Sequence, residues 1–201
     1  MLLHYLPVAS HQRTRWKNDG GWTTELGIEP TTAVIDGDFD WRVSIAAIEC
    51  DGPFSRFPGV ERDLFLLEGA GMFLNSVDGA EQRIDRPLQR IHFSGDAPVD
   101  CRLIDGPTRD FNVMVRARSI VAYIAASEPL LDRVIAGPAN SQWLVYVCSG
   151  DATIVADSDT IKLGAGDSVR IDSLGDPADF SINSTGALLV MRFTPRGTES
   201  N

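Results

Sequence analysis

An internal repeat is the sequence feature that most restricts the possible folds of this chain. The segment Leu64–Gly69 has the apolar run and closing glycine of a buried strand, and the later segment Val145–Gly150 has the same pattern. Each copy then finishes on a second apolar strand that contains a methionine, Met114 or Met191. In the sequence, Gly69 and Gly150 are almost as far apart as Met114 and Met191. Such similar offsets predict that the chain contains two copies of one domain.

Short alternating segments separated by turns predict that both copies are all-β. Turns at Gly95-Asp96 and Gly166-Asp167 have the spacing that antiparallel jelly-roll barrels need. One segment, Ser127–Ala136, could be helical or could equally be the linker between barrels. We therefore predict two antiparallel jelly-roll barrels in one chain. Residues 1–120 form the first barrel with its N-terminal strands and residues 121–201 the second. Exchange of strands between barrels, giving one compact unit, stays open.

Charge and cysteine content narrow the partners and the compartment. The formal net charge is −10 and no basic cluster is present, so nucleic acid and anionic membranes are poor partners. Cys50, Cys101 and Cys148 form no close pair, and we interpret them as reduced, buried thiols of a cytoplasmic protein. The N-terminus lacks a positive region followed by a long apolar core. We expect a soluble protein without a targeting segment.

Two segments with strict alternation place polar side chains on one face of a strand. Arg42 and Ser44 alternate with apolar residues in the segment from residue 41 to 48. Asp110, Asn112 and Arg116 alternate with Phe111, Val113 and Val115 in the next one. Such a face either lines a ligand pocket or is an exposed surface with internal salt bridges, and Asp110 could instead orient Arg42 or Arg62.

The segment Gly52–Gly71 is a proline-tied turn that leads into a buried strand. Pro53 and Pro58 restrict the backbone, and Phe54 and Phe57 lie between or beside them, as in a rigid lid over a ligand. Arg62 follows at the mouth of the strand. Further turns are predicted at residues 18–21, with the sequence NDGG, and at Asp36-Gly37-Asp38.

Several of these motifs, taken in order, resemble the HutD/Ves family of bicupins. The motifs are WKNDGGWTTE at 16–25, WRVS at 41–44, GPFSRFPG at 52–59, Arg62 and DFNVMVR at 110–116. The resemblance implies a double-barrel fold and an association with bacterial histidine utilisation, without an established reaction. The chain departs from the family pattern at Asp19, where the family has glycine. Asp also tolerates a left-handed backbone, so we expect the turn to persist.

The histidine content argues against the metal site that many cupins carry. His4, His11 and His92 are the only histidines, and none is paired at ligand spacing. We expect no cofactor and no transition metal, whereas a carboxylate site for a hard cation stays open. His92 is interpreted as a hydrogen-bonded strand residue.

The remaining polar and aromatic residues suit a small anionic ligand. Arginine binds carboxylates through two parallel hydrogen bonds, and the aromatic rings can enclose the apolar part of a metabolite. The residues predicted to bind it are Trp16, Asn18, Glu25, Arg42, Ser44, Phe54, Arg62, Asp110, Asn112 and Arg116. The predicted partner is therefore a small carboxylate, such as urocanate or N-formylglutamate, bound in a regulatory or buffering role, with a homodimer as an analogy from other cupins.

Two further points stay as alternatives. The chain could instead be a cofactor-free hydrolase or isomerase, with Glu25, Asp110 or His92 as acid or base. The second copy lacks the turn aromatics and the arginine at the strand mouth. We therefore predict that the first barrel holds the site and that the second is scaffold.

Overall fold

The computed structural model describes residues 1–33, 38–76, 79 and 81–197. The Asp36-Gly37 part of the predicted turn lies outside these residues. Within them a 3₁₀ turn covers Val8–Ser10, and no helix is long and apolar enough to cross a bilayer. The strands in chain order are β1 (Leu2–Leu6), β2 (Arg13–Arg15), β3 (Gly21–Glu29), β4 (Trp41–Ile48), β5 (Gly52–Pro53), β6 (Glu61–Glu68), β7 (Met72–Ser76), β8 (Gln82–Ile84), β9 (Arg90–Ser94), β10 (Val99–Leu103), β11 (Thr108–Val115), β12 (Ile120–Ser127), β13 (Arg133–Gly137), β14 (Gln142–Val147), β15 (Asp151–Ala156), β16 (Asp159–Gly164), β17 (Ser168–Asp172), β18 (Ala178–Ser184) and β19 (Leu188–Pro195).

The chain divides into two compact units, and each contains two antiparallel sheets. The first unit, Gln12–Arg118, has a six-stranded sheet in the order β2-β3-β4-β11-β6-β9 and a four-stranded sheet β5-β10-β7-β8. The second unit combines Met1–His11 with the residues from Ser119 onward. Its sheets have the orders β1-β17-β14-β19-β12 and β13-β18-β15-β16. The prediction of an all-β antiparallel fold is confirmed.

The N-terminal strand belongs to the second unit. The sequence predicts it with the first barrel, in residues 1–120, but β1 pairs with β17. The predicted Gly166-Asp167 turn holds this segment, because the Asp167 carboxylate accepts hydrogen bonds from the Tyr5 hydroxyl at 2.9 Å and the Val8 amide at 2.8 Å. These two donors and the Gly164 amide lower the pKa of Asp167, against the opposing effect of its partial burial.

Each unit buries a core between its two sheets. In the first unit the core contains Ala46 and Leu64 from the six-stranded sheet and Met72, Leu74 and Cys101 from the four-stranded one. In the second unit the core cluster is built mainly of valine, isoleucine, leucine and aromatic side chains from both sheets. These cores follow from the period of two in strands, which sends alternate side chains inward.

The predicted helix and two of the predicted thiol environments need correction. The segment Ser127–Ala136 is neither helix nor simple linker, because β12 ends at Ser127 and β13 begins at Arg133. Its β-branched residues Val134 and Ile135 favour a strand, and β13 pairs with β18. Cys101 is buried as predicted, but Cys148 is partly buried and Cys50 is exposed.

The repeat is present, but the strand pairing confirms only one of the two matches predicted between the copies. Leu64 and Val145, which begin matching positions of the two copies, both face their own unit's core. Leu64 pairs with Asn112, and Val145 pairs with Val190, so Asn112 and Val190 correspond in the closing strands. By this register the counterpart of Met114 is Arg192, and the methionine match is one position out. A slip of one position reverses the face of every side chain, so Met191 is not equivalent to Met114.

Candidate functional site

Three neighbouring strands bring polar side chains together inside the first unit. The strand β11 lies between β4 and β6, and residues paired across strands share a face of the sheet. The alternation predicted for β4 and β11 holds, and the polar face is buried rather than exposed. The cross-strand rows on this face are Arg42–Met114–Arg62, Ser44–Asn112–Leu64 and Ala46–Asp110–Leu66.

Arg62 is a buried guanidinium held mainly by aromatic rings. Its Cζ atom lies 5.3 Å from the ring centroid of Phe54, 5.6 Å from that of Phe57 and 4.9 Å from that of Phe93. Its Nη1 donates to the Ser55 carbonyl at 3.2 Å. The Nε–H group is buried and has no hydrogen-bond partner among the described residues. The predicted turn aromatics thus surround the cation, and β9 adds Phe93, which the sequence did not single out.

The charge of Arg62 is poorly compensated. Its pKa is lowered to about 10, because burial and the approach of Arg42 outweigh the opposing effect of Asp110. No hydrogen bond joins Asp110 to either arginine within the described residues, so Asp110 does not orient them directly, contrary to one of the alternatives. A buried cation without a paired anion costs several kcal/mol.

Arg42 is fixed by a carboxylate at the edge of the site. Its Nε donates to Glu25 Oε2 at 3.0 Å, and its Nη1 donates to Ser44 Oγ at 3.3 Å. The Nη1 also lies 3.8 Å from the sulfur of Met114. The Arg42 side chain is 6% exposed and that of Glu25 45% exposed, so the pair runs from the interior towards solvent. Glu25 therefore positions Arg42. Because its carboxylate is already paired, Glu25 is less available to contact a ligand.

Asp110 and Asn112 present unpartnered acceptors inside the same unit. Both Asp110 oxygens and Asn112 Oδ1 are buried without a hydrogen-bond donor among the described residues. Burial raises the pKa of Asp110 to about 7, although the nearby Arg62 opposes this. The neighbouring Cys101 thiol, whose pKa burial raises to about 12, donates to the sulfur of Met72 at 3.4 Å and not to Asp110.

Two predicted site residues lie in the N-terminal turn. The Trp16 indole donates to Thr23 Oγ1 at 2.8 Å and packs against the core of the first unit. Asn18 is exposed, and its Oδ1 accepts from the Gly20 amide at 3.1 Å, so it stabilises the turn and does not reach the buried rows. Asp19 has φ of 56°, so the left-handed turn persists as expected.

Arg116 has a different position from the one predicted. The strand β11 ends at Val115, and the Arg116 guanidinium is 2.9 Å from the Asp38 carboxylate. Its Nε also donates to the Phe39 carbonyl at 3.1 Å. These contacts tie the start of β4 to the end of β11, which is a structural role.

His92 lies on the other face of the sheet. It is paired with Asp63, whereas its neighbour Phe93 is paired with Arg62. The His92 ring contacts Asp63 Oδ1 at 3.0 Å through Nδ1 and Glu61 Oε2 at 3.2 Å through Nε2. Successive side chains of a strand point to opposite faces. His92 is therefore separated from Asp110 by the sheet and cannot act with it.

Sequence comparison supports the same family that the motifs resemble. The HutD family model matches residues 8–190. This chain belongs to the HutD family.

Curated and solved relatives agree with membership of the HutD family. The chain is 42% identical over 112 residues to a 21.2 kDa protein in the hutC 3′ region of Pseudomonas putida, a match covering 56% of this chain and 57% of that relative. It is 34% identical to protein Ves of Escherichia fergusonii over 74% of both chains. The structure of HutD from Pseudomonas fluorescens SBW25, in a formate condition, is 30% identical with a TM-score of 0.85 and covers 98% of this chain and 100% of that one.

More distant solved structures share the fold of this chain, and they include cupins. A cupin 2 conserved barrel domain protein from Leptotrichia buccalis is 10% identical with a TM-score of 0.56, which shows the fold alone. Many cupins hold a divalent metal, but the polar interior of this HutD family member carries two guanidinium groups, which repel a cation. Across the described residues no group of three or more His, Cys, Asp or Glu side chains is placed to hold a metal ion. The residues present do not fit that metal.

The second unit of this HutD family member has no equivalent pair of arginines. By the corrected register, Trp143 stands where the first unit has Arg62, and Tyr123 stands where it has Arg42. Trp143 is buried in the apolar core. Arg192 replaces Met114, and its Cζ lies 5.5 Å and 5.8 Å from the Trp143 and Tyr123 rings. The interiors of the two copies have therefore diverged in charge.

Proposed function

We propose that the first unit binds a small carboxylate metabolite, and that this metabolite is an intermediate of histidine degradation such as urocanate or N-formylglutamate. The observation that carries the proposal is Arg62, a residue only 5% exposed, with a single carbonyl partner and an unpartnered Nε–H group among the described residues. A carboxylate supplies the missing acceptors and the missing negative charge together, because it matches the two-donor edge of arginine.

The surroundings of Arg62 suit recognition rather than simple charge burial. The rings of Phe54, Phe57 and Phe93 hold the guanidinium plane and exclude water, which strengthens a hydrogen bond to an anion. Arg42 adds a second cation on the same cross-strand row. The second unit has Trp143 and Tyr123 in place of the two arginines, which supports its interpretation as scaffold.

The relatives give the metabolic context of the proposal. The Pseudomonas putida relative takes its description from the hutC 3′ region, which is consistent with a role beside histidine degradation. Binding without a conversion of the ligand would buffer the intermediate or report its concentration. We infer the buffering or regulatory role because the two guanidinium groups suit recognition of a carboxylate and the Glu25 carboxylate is occupied by Arg42.

Calorimetric titration of arginine variants tests the site. Arg62→Lys and Arg42→Lys keep the charge but lose the fork, so binding of urocanate or N-formylglutamate should weaken by about thirtyfold or more, from a loss of roughly 2 to 5 kcal/mol. Arg170→Lys, in the second unit, is the control, and thermal melts check folding. If all three variants bind as the parent does, the proposed carboxylate site is wrong.

One observation favours a second candidate function, a cofactor-free hydrolase or isomerase acting on a related metabolite. Asp110 is buried, carries no hydrogen bond within the described residues and has its pKa raised to about 7, as a general base requires. His92 cannot share this role because it lies on the opposite face. Incubation with each intermediate followed by mass spectrometry separates the candidates: conversion supports the enzyme, and unaltered recovery with saturable binding supports the binding protein.

A further inference from the structure

The polar side chains inside the first unit lie on successive cross-strand rows. The donors are the guanidinium groups of Arg42 and Arg62, which share a row with Met114. The unpartnered acceptors belong to Asp110 and Asn112, which come earlier on β11 and whose side chains share the face of Met114. Strands rise about 3.4 Å per residue, so the Asp110 and Met114 rows are about 14 Å apart at the backbone. The long Arg62 side chain nevertheless brings its charge close enough to Asp110 to oppose the raised pKa of that carboxyl. The arginines and the unpartnered acceptors therefore face one interior from different cross-strand rows.

The acceptors of Asp110 and Asn112 need a donor that the described residues do not supply. The Cys101 thiol, whose pKa Asp110 influences, donates to the Met72 sulfur instead. Each buried acceptor without a donor costs about 1 to 3 kcal/mol, and more when it is charged. A ligand that carries only acceptors, such as a simple dicarboxylate, would leave this cost in place and add a second negative charge beside Asp110.

We propose that the ligand carries an N–H group in addition to its carboxylate, and that Asp110, assisted by Asn112, recognises this N–H. The inference rests on the proposed function, because it assigns the carboxylate to the arginines. It narrows the ligand to small carboxylates that also carry an amide, ammonium or N–H heterocycle. Asp110 is then a specificity-determining residue of the binding site.

Matched ligand pairs test the N–H requirement on the unmodified protein. Urocanate is compared with 3-(2-furyl)acrylate, in which a ring oxygen replaces the N–H, and N-formylglutamate with its N-methyl derivative. The titrations are run at about pH 8, where Asp110 is mainly ionised and can only accept hydrogen bonds. At least one N–H ligand should bind about tenfold or more tightly than its partner, because the analogue leaves a buried acceptor unsatisfied.

An Asp110→Asn variant tests the residue assignment. Asparagine keeps the shape and one acceptor but loses the charge, so the preference for the N–H ligand should fall to a few-fold. Asp105→Asn, which removes an exposed carboxylate from the same unit, should leave the preference unchanged. If Asp110→Asn does not fold, the ligand pairs on the parent still decide the N–H requirement.

The outcomes separate the two proposals. Equal affinity within both ligand pairs overturns the N–H inference and leaves the carboxylate site standing. A preference that survives Asp110→Asn unchanged overturns the assignment to Asp110. Failure of both urocanate and N-formylglutamate to bind overturns the proposed function together with the inference.

Discussion

Replacing Asp110 with asparagine should change how the stability of the ligand-free protein depends on pH. Burial raises the pKa of Asp110 from 3.8 to about 7, so the folded protein holds a proton that the unfolded chain has released. The contribution of Asp110 to stability is therefore greatest below pH 3.8 and is lost as pH rises through about 7. Each pKa unit corresponds to about 1.36 kcal/mol, so the free energy of unfolding of the parent should fall by roughly 2 to 3 kcal/mol between about pH 5 and 8 through this group.

Asp110→Asn has no proton to release and should not show this loss. Urea denaturation at about pH 5 and pH 8 gives the free energy of unfolding of the parent and of Asp110→Asn. The difference between the two proteins should change between the two pH values. Using that change removes any constant effect of packing an amide beside Arg62. The same measurement on Asp105→Asn corrects for the removal of one carboxylate. A difference between parent and Asp110→Asn that stays the same at both pH values would refute the reasoning that Asp110 is a buried, uncompensated acid.

Three shorter predictions address the backbone, the thiols and metal. Gly71→Ala should lower the free energy of unfolding more than Gly106→Ala in urea denaturation: both glycines have positive φ, but only at Gly71 would a Cβ collide with the Ile84 carbonyl. With a thiol reagent at about pH 8, exposed Cys50 should react quickly and Cys101, whose pKa burial raises to about 12, should not, so Cys50→Ser should abolish the fast phase. Chelation should leave the melting temperature unchanged, and stoichiometric transition metal by elemental analysis would contradict this.

Local pattern was enough to predict most of the fold. Alternation of apolar and polar residues located β4 over its full length, and glycine-rich turns located the ends of several other strands. Pattern failed where pairing decides the structure. The segment Ser127–Ala136 has the serine and proline typical of a helix start, but it forms strands because β12 and β13 each have a partner. The prediction for the N-terminal strand was wrong about its unit, because the sequence of a strand does not indicate which strand it pairs with.

The candidate site shows the same division at the level of single residues. Alternation alone could assign Arg42 and Ser44 to one face of their strand, and Asp110 and Asn112 to one face of theirs. The pairing of β4 with β11 showed that the two faces are the same. Arg116 could not, because its position depends on where β11 stops, and its side chain turns to Asp38. Within the cage around Arg62, Phe93 was missed because it comes from β9, which is distant in sequence and adjacent only in the sheet.

The sequence by itself determined the all-β class and the alternation that gathers polar residues on one face of a strand, because both depend on the period of two and on turn chemistry within a few residues. It also revealed the duplication, because the same pattern recurs along the chain. The structure decided that the polar face is buried. Only the tertiary structure decided which strands are neighbours and in which register. The observed register shows that Met114 corresponds to Arg192 and not to Met191. It also places Met114 between Arg42 and Arg62. It also left Asp110 and Arg62 buried without a hydrogen bond between them. These pairings join segments far apart in the chain, so no local pattern could reveal them.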